Sequence, residues 1–254
     1  MRKIKLTIMY EGTRYAGWQA QQNATSIQSL LQEALFKMTG AETPVVGASR
    51  TDAGVHAIAQ VAHFETESSI GPEGFVSGIN SMLPGDISVV DACDAPGDFH
   101  ARKSSTGKRY AYRILLSRSR NPFLEGRAWT LRNALNIDSM RAASACLLGE
   151  HDFSSFRASG CGSLNSVRTI TRIEVSSRPL PPEMLSGESE IVELLFEGNG
   201  FLRHMIRNIV GTLVDAGHGK LSSDDVRRIL LAKKRIEAGR CAPASGLFLV
   251  NVFY

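Results

Sequence analysis

The sequence has little cysteine and lacks any long apolar run. Its four cysteines are far apart and form no C-x-x-C pair. This spacing excludes a disulfide framework and a zinc knuckle, and it fits a reducing compartment. No segment reaches the ~18 consecutive apolar residues of a membrane span, and the N-terminus lacks the apolar stretch of a secretory signal. We therefore expect a cytoplasmic protein with no membrane-spanning segment.

Several catalytic and ligand-binding motifs are also missing. Neither G-x-G-x-x-G nor G-x-x-x-x-G-K-[ST] occurs, which excludes the common nucleotide-phosphate loops. No H-E-x-x-H and no paired Cys/His spacing is present, so we expect no metal site. The G-x-S-x-G turn of serine hydrolases is absent as well.

Charge is distributed unevenly along the chain. The net charge is +4, but residues 1–99 carry −5 and residues 100–254 carry +9. Residues 100–135 alone hold nine basic residues, beginning with Arg102 and Lys103, and one acid, Glu125. Such a cluster is typical of a surface that contacts phosphates, and the aromatic residues among the charges offer faces on which bases stack. The pattern favours nucleic-acid binding over the alternative of a basic face that is exposed to water and binds no ligand.

Strand and helix patterns alternate in mixed order, which predicts an α+β fold with mostly antiparallel sheet. The predicted strands are Lys3–Tyr10, Pro44–Ala48, Ala57–Thr66, Asp86–Cys93, Lys108–Leu116, Val167–Val175, Ile191–Glu197 and Leu247–Tyr254. The predicted helices are Ser26–Thr39, Pro72–Leu83, Ile137–Leu148, Phe201–Ala216 and Ser222–Lys233. Ser176–Ser189 contains three prolines and no periodicity, which predicts a surface loop, and His151-Asp152 is interpreted as a helix end. The chain divides into two α+β halves, residues 1–104 and 105–254.

The loop before the third predicted strand has the densest polar chemistry. It contains Arg50, Thr51, Asp52 and His56. Loops held between strands are favoured places for catalytic groups. The alternative is that Asp52 only hydrogen-bonds within its own turn.

Arg207 in the fourth predicted helix is a second candidate. Apolar residues surround it closely in sequence, so a buried guanidinium there would need a carboxylate partner. The alternative is a solvated helix face that Arg207 shares with Arg203, four residues earlier.

Taken together, the motifs resemble those of the bacterial tRNA pseudouridine synthase A family over residues 3–254. The resemblance rests on Tyr10-Glu-Gly-Thr-Arg-Tyr-Ala-Gly-Trp-Gln19, Ser49-Arg-Thr-Asp-Ala-Gly-Val-His56, Phe99-His-Ala-Arg102, Lys108-Arg-Tyr-Ala-Tyr112, Phe153-Ser-Ser-Phe-Arg157, Val167-Arg-Thr-Ile170, Gly200-Phe-Leu-Arg-His-Met-Ile-Arg-Asn-Ile-Val-Gly211 and Ala242-Pro-Ala-Ser-Gly-Leu247. These segments stand in the family's order.

The resemblance implies isomerisation of uridine to pseudouridine at positions 38, 39 and 40 of the tRNA anticodon stem-loop. By position, Asp52 matches the nucleophile, Tyr110 the tyrosine that stacks on the target base, and Arg207 the arginine that pairs with the aspartate. The resemblance also implies a pseudouridine-synthase-like fold, a homodimer, no cofactor and an active-site cleft between the halves. We expect Arg50, Thr51, His56, Arg102 and Lys103 to bind substrate.

The residues leave several alternatives open. Asp52 could attack the ribose C1′, attack the base C6 or assist glycal formation. A tRNA-binding module without catalysis would use the same basic surface, and a related synthase would keep Asp52 but modify another site. A nucleoside hydrolase would use Asp52 to release free uracil.

Overall fold

The computed structural model describes residues 1–180 and 189–254. They form two compact units, a first unit of Met1–Lys108 with Phe248–Tyr254 and a second unit of Arg109–Leu247. The last strand, which the sequence analysis placed in the second half, is grouped with the first unit. No helix in the described part of the chain is long and apolar enough to cross a membrane.

The first unit is built on a sheet in the order β4-β1-β3-β10, with β2 beside β3. The strands are β1 (Arg2–Tyr10), β2 (Val46–Gly47), β3 (His56–Thr66), β4 (Ile87–Ala95) and β10 (Leu247–Phe253). Strand β1 is antiparallel to β3 and β4, while β10 runs parallel to β3. Alternate side chains of β1, from Ile4 to Tyr10, are buried, as the period-2 pattern predicted.

Two helices accompany this sheet, α1 (Ile27–Thr39) and α2 (Pro72–Asn80). Ser26 caps α1 through its side chain, and Gly40 ends it in the left-handed conformation. Helix α2 buries Phe75 and Ile79 and ends earlier than predicted. Met82, inside the predicted helix, lies beyond this end and is exposed.

The second unit has a sheet in the order β5-β9-β8-β7, with β6 parallel to β5. Its strands are β5 (Gly107–Leu116), β6 (Trp129–Leu131), β7 (Gly149–Asp152), β8 (Val167–Pro179) and β9 (Glu190–Gly198). Its helices are α3 (Ile137–Ser144), α4 (Met205–Gly217) and α5 (Ser223–Ala232), the last capped by Ser222. Helix α3 packs on α4, α5 and β8.

Strand β8 is longer than predicted. The strand continues to Pro179, where Ser176–Pro179 pairs with β9, so the first part of the predicted loop Ser176–Ser189 is wrong. The added residues Ser176–Pro179 are all exposed, which leaves no apolar alternation to reveal them. The buried residues of β8, Ile170 and Val175, are five positions apart, and the register of the strand shifts between Ile170 and Arg172. Residues 181–188 of the predicted loop lie outside the described residues.

Other differences concern element ends and short strands. His151 and Asp152 belong to β7, paired with β8, and not to a helix end. Helix α4 begins at Met205 because His204 has a left-handed backbone with φ of 61°, which a helix cannot continue. Strand β6 has only three residues, too few for a periodic signal.

Helix α4 is in direct backbone contact with a later segment of the second unit. A β-carbon on Gly211 would lie 1.7 Å from the Arg240 carbonyl oxygen. The Ala242 N–H donates to the Arg207 carbonyl oxygen at 3.1 Å, which fixes the segment against the first turn of the helix. Gly211 is therefore required by packing, although glycine is a poor helix former.

We predict that Gly211→Ala lowers the free energy of unfolding by about 1–3 kcal/mol, because backbone cannot move aside as a side chain can. In an open helix the same change would stabilise by about 1 kcal/mol. Gly78→Ala in α2 is the matched control, since its β-carbon meets only the flexible end of Met38. Thermal unfolding should show a loss of roughly 2–4 °C per kcal/mol for Gly211→Ala alone. Equal effects of the two substitutions would contradict the packing argument.

Candidate active site

The segment Ser49–His56, called the Asp52 loop below, starts from a fixed anchor. The Gln60 side chain is fully buried in β3. Its amide nitrogen donates to the Ser49 carbonyl oxygen at 2.7 Å, and its amide oxygen accepts from the Ser49 N–H at 3.2 Å. One side chain thus satisfies both backbone groups of Ser49, which sets the direction in which the loop leaves the sheet.

Thr51 holds the middle of the loop against the body of the first unit. Its side-chain hydroxyl hydrogen-bonds with the Tyr10 hydroxyl at 2.7 Å. Its carbonyl oxygen accepts from the Trp18 N–H at 3.1 Å. Trp18 and Thr51 are both buried, so these bonds are shielded from water.

The neighbouring segment, residues 11–19, touches the Asp52 loop backbone to backbone. A β-carbon on Gly12 would lie 2.0 Å from the Val55 carbonyl oxygen, and one on Gly17 would lie 2.5 Å from the Thr51 carbonyl oxygen. Gly17 also has a φ of +94°, which favours glycine. The two glycines allow an approach that no side chain would permit.

His56 closes the loop from inside the protein. It is buried, and its Nδ1 accepts from the Gly12 N–H at 3.0 Å. Because Nδ1 accepts this bond it carries no proton, so Glu11 Oε1, 3.5 Å away, does not form an ion pair through that atom. The ring also stacks on Phe248 with centroids 4.5 Å apart. These contacts fix the end of the loop.

The charged side chains of the loop are not fully buried. Arg50 is exposed and Asp52 is partly exposed, whereas Ser49, Thr51 and Val55 are buried. The Val55 N–H donates to the Asp52 carbonyl oxygen at 3.1 Å and closes the turn. The loop therefore presents one accessible carboxylate on a backbone held from both sides.

Arg102 and Lys103 lie on a second ordered turn of the first unit. Their backbone N–H groups both donate to His100 Nδ1 at 3.2 Å. The Ala101 N–H donates to His63 Nδ1 at 3.1 Å. Burial, and then the charges of His100 and Lys3, lower the pKa of His63 to about 4, so the acceptor stays neutral near pH 7.

This turn presents its two cations outward. The Arg102 and Lys103 side chains are exposed, and neither has an ion-pair partner in the part of the chain that the structure describes. Their backbone is nevertheless fixed by both histidines. A fixed turn with two cations facing solvent suits contact with a polyanion.

Tyr110 lies on β5 of the second unit. It is buried, and its ring meets Phe201 edge to face with centroids 5.4 Å apart and an interplanar angle of 84°. An edge-to-face contact of this kind favours one orientation of the Tyr110 ring. The preceding Arg109 forms an ion pair with Glu197 at 2.8 Å.

Arg207 lies in the first turn of α4, in the second unit. It is partly buried, and its Nε donates to the Ala242 carbonyl oxygen at 2.7 Å. The Tyr112 hydroxyl donates to the next carbonyl oxygen, that of Pro243, at 2.8 Å. The Ala242–Pro243 segment therefore orients the Arg207 side chain.

The predicted site residues fall into two groups. Arg50, Thr51, Asp52 and His56 share the Asp52 loop, and Arg102 and Lys103 share one turn of the same unit; Tyr110 and Arg207 belong to the second unit. The sequence analysis missed Gln60 and His63. A polar residue on a predicted strand has no motif, and only its buried partners reveal its role.

Metal-binding and disulfide groups are not part of this arrangement. None of the four cysteines forms a disulfide. In the described ranges, no group of three or more His, Cys, Asp and Glu side chains could hold a metal ion.

Comparison with known proteins places these features in a family. The profile of the family described as tRNA pseudouridine synthase matches residues 6–102 and 143–254. The tRNA pseudouridine synthase A of Acetivibrio thermocellus is 44% identical over 254 residues, 100% of both chains. That of Myxococcus xanthus is 44% identical over 100% of this chain and 92% of its own. The chain belongs to the tRNA pseudouridine synthase family.

Proposed function

We propose that this isomerase converts uridine to pseudouridine at positions 38, 39 and 40 of the tRNA anticodon stem-loop, with Asp52 as the nucleophile. The family supports a tRNA substrate, and the Asp52 loop supports the choice of residue. Its carboxylate is accessible, while the backbone around it is held by Gln60, Trp18 and Gly12. A reacting group held in this way keeps its geometry without further ordering.

The reaction needs a carboxylate and no redox partner. The glycosidic C–N bond breaks, the uracil turns, and a C–C bond forms between the ribose C1′ and the base C5. C5 then loses its proton, and N1, released from the sugar, gains one. Between the breaking of the C–N bond and the formation of the C–C bond, a carboxylate stabilises the electron-poor intermediate or forms a covalent bond with it, as in covalent glycosidases. Attack at C1′, attack at C6 and glycal formation are three alternative routes, and each of them requires the Asp52 carboxylate.

Arg207 and Tyr110 complete the proposed catalytic group. A guanidinium beside Asp52 would favour its charged form and so keep it ready to react. The Ala242 carbonyl oxygen supports this role because it orients Arg207 through Nε. Tyr110 would stack on the uridine after it leaves its own stack, and the edge contact with Phe201 supports this role by favouring one orientation of the ring.

The remaining site residues would bind the RNA or hold its binding surface. Arg50, Arg102 and Lys103 are exposed cations and would contact phosphates. Thr51 and His56 are buried and would act by fixing the Asp52 loop under the substrate. We further propose a homodimer in the cytoplasm that works without a cofactor. The dimer is what the family resemblance in the sequence implies, and a tRNA substrate and four cysteines without a disulfide favour the compartment.

We predict that Asp52→Asn abolishes turnover, with a loss of at least roughly a thousandfold, because the amide is not a nucleophile. Affinity for tRNA should stay within about threefold, since the side chain keeps its shape. The measurement is pseudouridine mapping on an unmodified tRNA transcript with uridine at positions 38 to 40. Asp91→Asn, an exposed acid on β4, is the matched control and should keep full activity.

Each alternative has its own outcome in this experiment. Product at other positions would keep the chemistry and replace the target. Release of free uracil would support the hydrolase. A folded wild-type protein that binds tRNA and makes no pseudouridine would support the binding module and overturn the proposal.

We predict that Tyr110→Phe costs less activity than Tyr110→Leu, because phenylalanine keeps the flat face. Loss of base stacking, about 1–3 kcal/mol, corresponds to a rate or affinity loss of roughly 5–150-fold for the leucine variant. Single-turnover rates on the same transcript measure this, with thermal unfolding to confirm that both variants fold. Equal losses would show that the hydroxyl, and not the ring face, is what the reaction uses.

We predict that Arg102→Ala and Lys103→Ala each weaken tRNA binding more at low salt than at high salt. Each lost phosphate contact should reduce the slope of log K against log salt by about 0.7–0.9. Lys37→Ala on α1 is the control, because this exposed lysine is already paired with Glu33 at 2.7 Å. A slope that matches the Lys37→Ala variant would reject the contact.

A further inference from the structure

The basic stretch of residues 100–135 separates into paired and unpaired cations. Arg109 pairs with Glu197, and Arg113 pairs with Glu193 at 3.1 Å. These two arginines stabilise the β5–β9 region and contribute little net charge. The other arginines of this stretch that belong to the second unit are exposed. They lie on the connection from β5 to β6 and just after β6, and they are Arg118, Arg120, Arg127 and Arg132.

Strand pairing brings Arg118 and Arg132 side by side. Leu116 of β5 is the register partner of Leu131 in the parallel strand β6. The Ser117 N–H then donates to the Leu131 carbonyl oxygen at 2.9 Å, which extends the pairing by one residue. Arg118 follows Ser117, and Arg132 follows Leu131. The two arginines therefore lie at the same end of the strand pair.

The two arginines line a shared depression of the surface. This pocket has a volume of about 670 Å³ and is lined by Arg118, Arg132, Asn133 and Ala134. Both arginines are exposed, and within residues 1–180 and 189–254 neither has an ion-pair partner. Two neighbouring like charges repel each other unless an anion lies between them.

The strand end that precedes Arg118 is ordered. Leu115, three residues before Arg118, belongs to a buried cluster with Ala128, Leu180 and Ile191, and Leu124 packs against the cluster. The Ser189 hydroxyl donates to the Ser117 hydroxyl at 3.0 Å in a buried position. The arginines therefore extend from a fixed support, which lowers the cost of ordering them around a ligand.

The pocket is far from the residue proposed to hold the target base. Tyr110 and Leu116 are six residues apart on β5, and a strand rises by about 3.3 Å per residue, which gives roughly 20 Å. An anion at Arg118 is therefore not part of the target uridine. It belongs to another part of the same polyanion.

We propose that Arg118 and Arg132, with Asn133, form a phosphate-binding site for the RNA backbone of the substrate, separate from the uridine site. The inference rests on the proposed function for the identity of the polyanion as tRNA. Planar guanidinium groups bind phosphate through two parallel N–H donors, and Asn133 adds an amide donor. Phe123, on the same connection and 66% exposed, offers a face on which an unstacked base would stack.

The test is the double variant Arg118→Ala/Arg132→Ala in the full chain. Removal of two phosphate contacts should lower the slope of log K against log salt for tRNA by about 1.4–1.8. We expect KM for tRNA to rise at least tenfold at low salt, while the single-turnover rate at saturating tRNA stays within twofold. The unchanged rate would show that the site binds and does not catalyse.

The matched control is Lys220→Ala/Arg228→Ala. It removes the same charge from the second unit, but these exposed cations are already paired with Asp215 and Asp225. Its salt slope should stay within about 0.3 of the wild type. Equal slopes for the two double variants would overturn the proposal, since net charge alone would then explain the effect.

A second substrate tests the distance. A three-nucleotide RNA with the target uridine in the middle has no phosphate more than one nucleotide away from that uridine. It is too short to reach from Tyr110 to Arg118, so the wild type and the double variant should bind it equally. A loss of binding on this short RNA would overturn the separate site. If the double variant shows the predicted loss of slope but the wild type makes no pseudouridine, the proposed function fails and the phosphate site stands.

Discussion

The candidate site depends on one constraint, the backbone contact between residues 11–19 and the Asp52 loop. Gly12 and Gly17 bring main-chain atoms to the Val55 and Thr51 carbonyl oxygens at distances that a β-carbon would block. The Trp18 and Gly12 N–H groups then bond to this loop, to the Thr51 carbonyl oxygen and to the His56 ring. The accessible carboxylate is thus positioned by main chain and buried side chains, and its own geometry needs no ligand to form.

Most of the fold was predictable because its elements carry strong local patterns. Alternating apolar and polar residues predicted β1. Apolar residues at helical spacing predicted α1, and Ser26 and Gly40 cap its two ends. Elements stabilised by partners rather than by burial were missed. The end of β8 is exposed and is held by its ladder to β9, and β6 is three residues long. Neither situation leaves a period that a single sequence can show.

The sequence was enough to propose the site residues, but it did not identify the residues that support them. Polar density in one loop pointed to Asp52, and the motifs pointed to the family, which the comparisons confirmed. The anchors Gln60 and His63 look like isolated polar residues on a strand. Their importance appears only when the structure shows which buried backbone groups they satisfy, since an unpaired buried amide costs about 1–3 kcal/mol. Residues that orient a site through hydrogen bonds follow no spacing rule.

The distribution of cations extends this argument to RNA recognition. Basic residues close together in sequence have opposite roles, because Arg113 is neutralised by Glu193 on the adjacent strand while Arg118, five residues later, faces solvent beside Arg132. A count of charges cannot separate these roles, since it ignores what lies across the sheet. Strand pairing distinguishes the two roles. Arg113, within β5, faces a carboxylate on the adjacent strand, whereas Arg118 and Arg132, just beyond the strand ends, face solvent. A polyanion would be attracted to the second kind alone, so the strand ends, and not the total charge of the segment, decide where its phosphates lie.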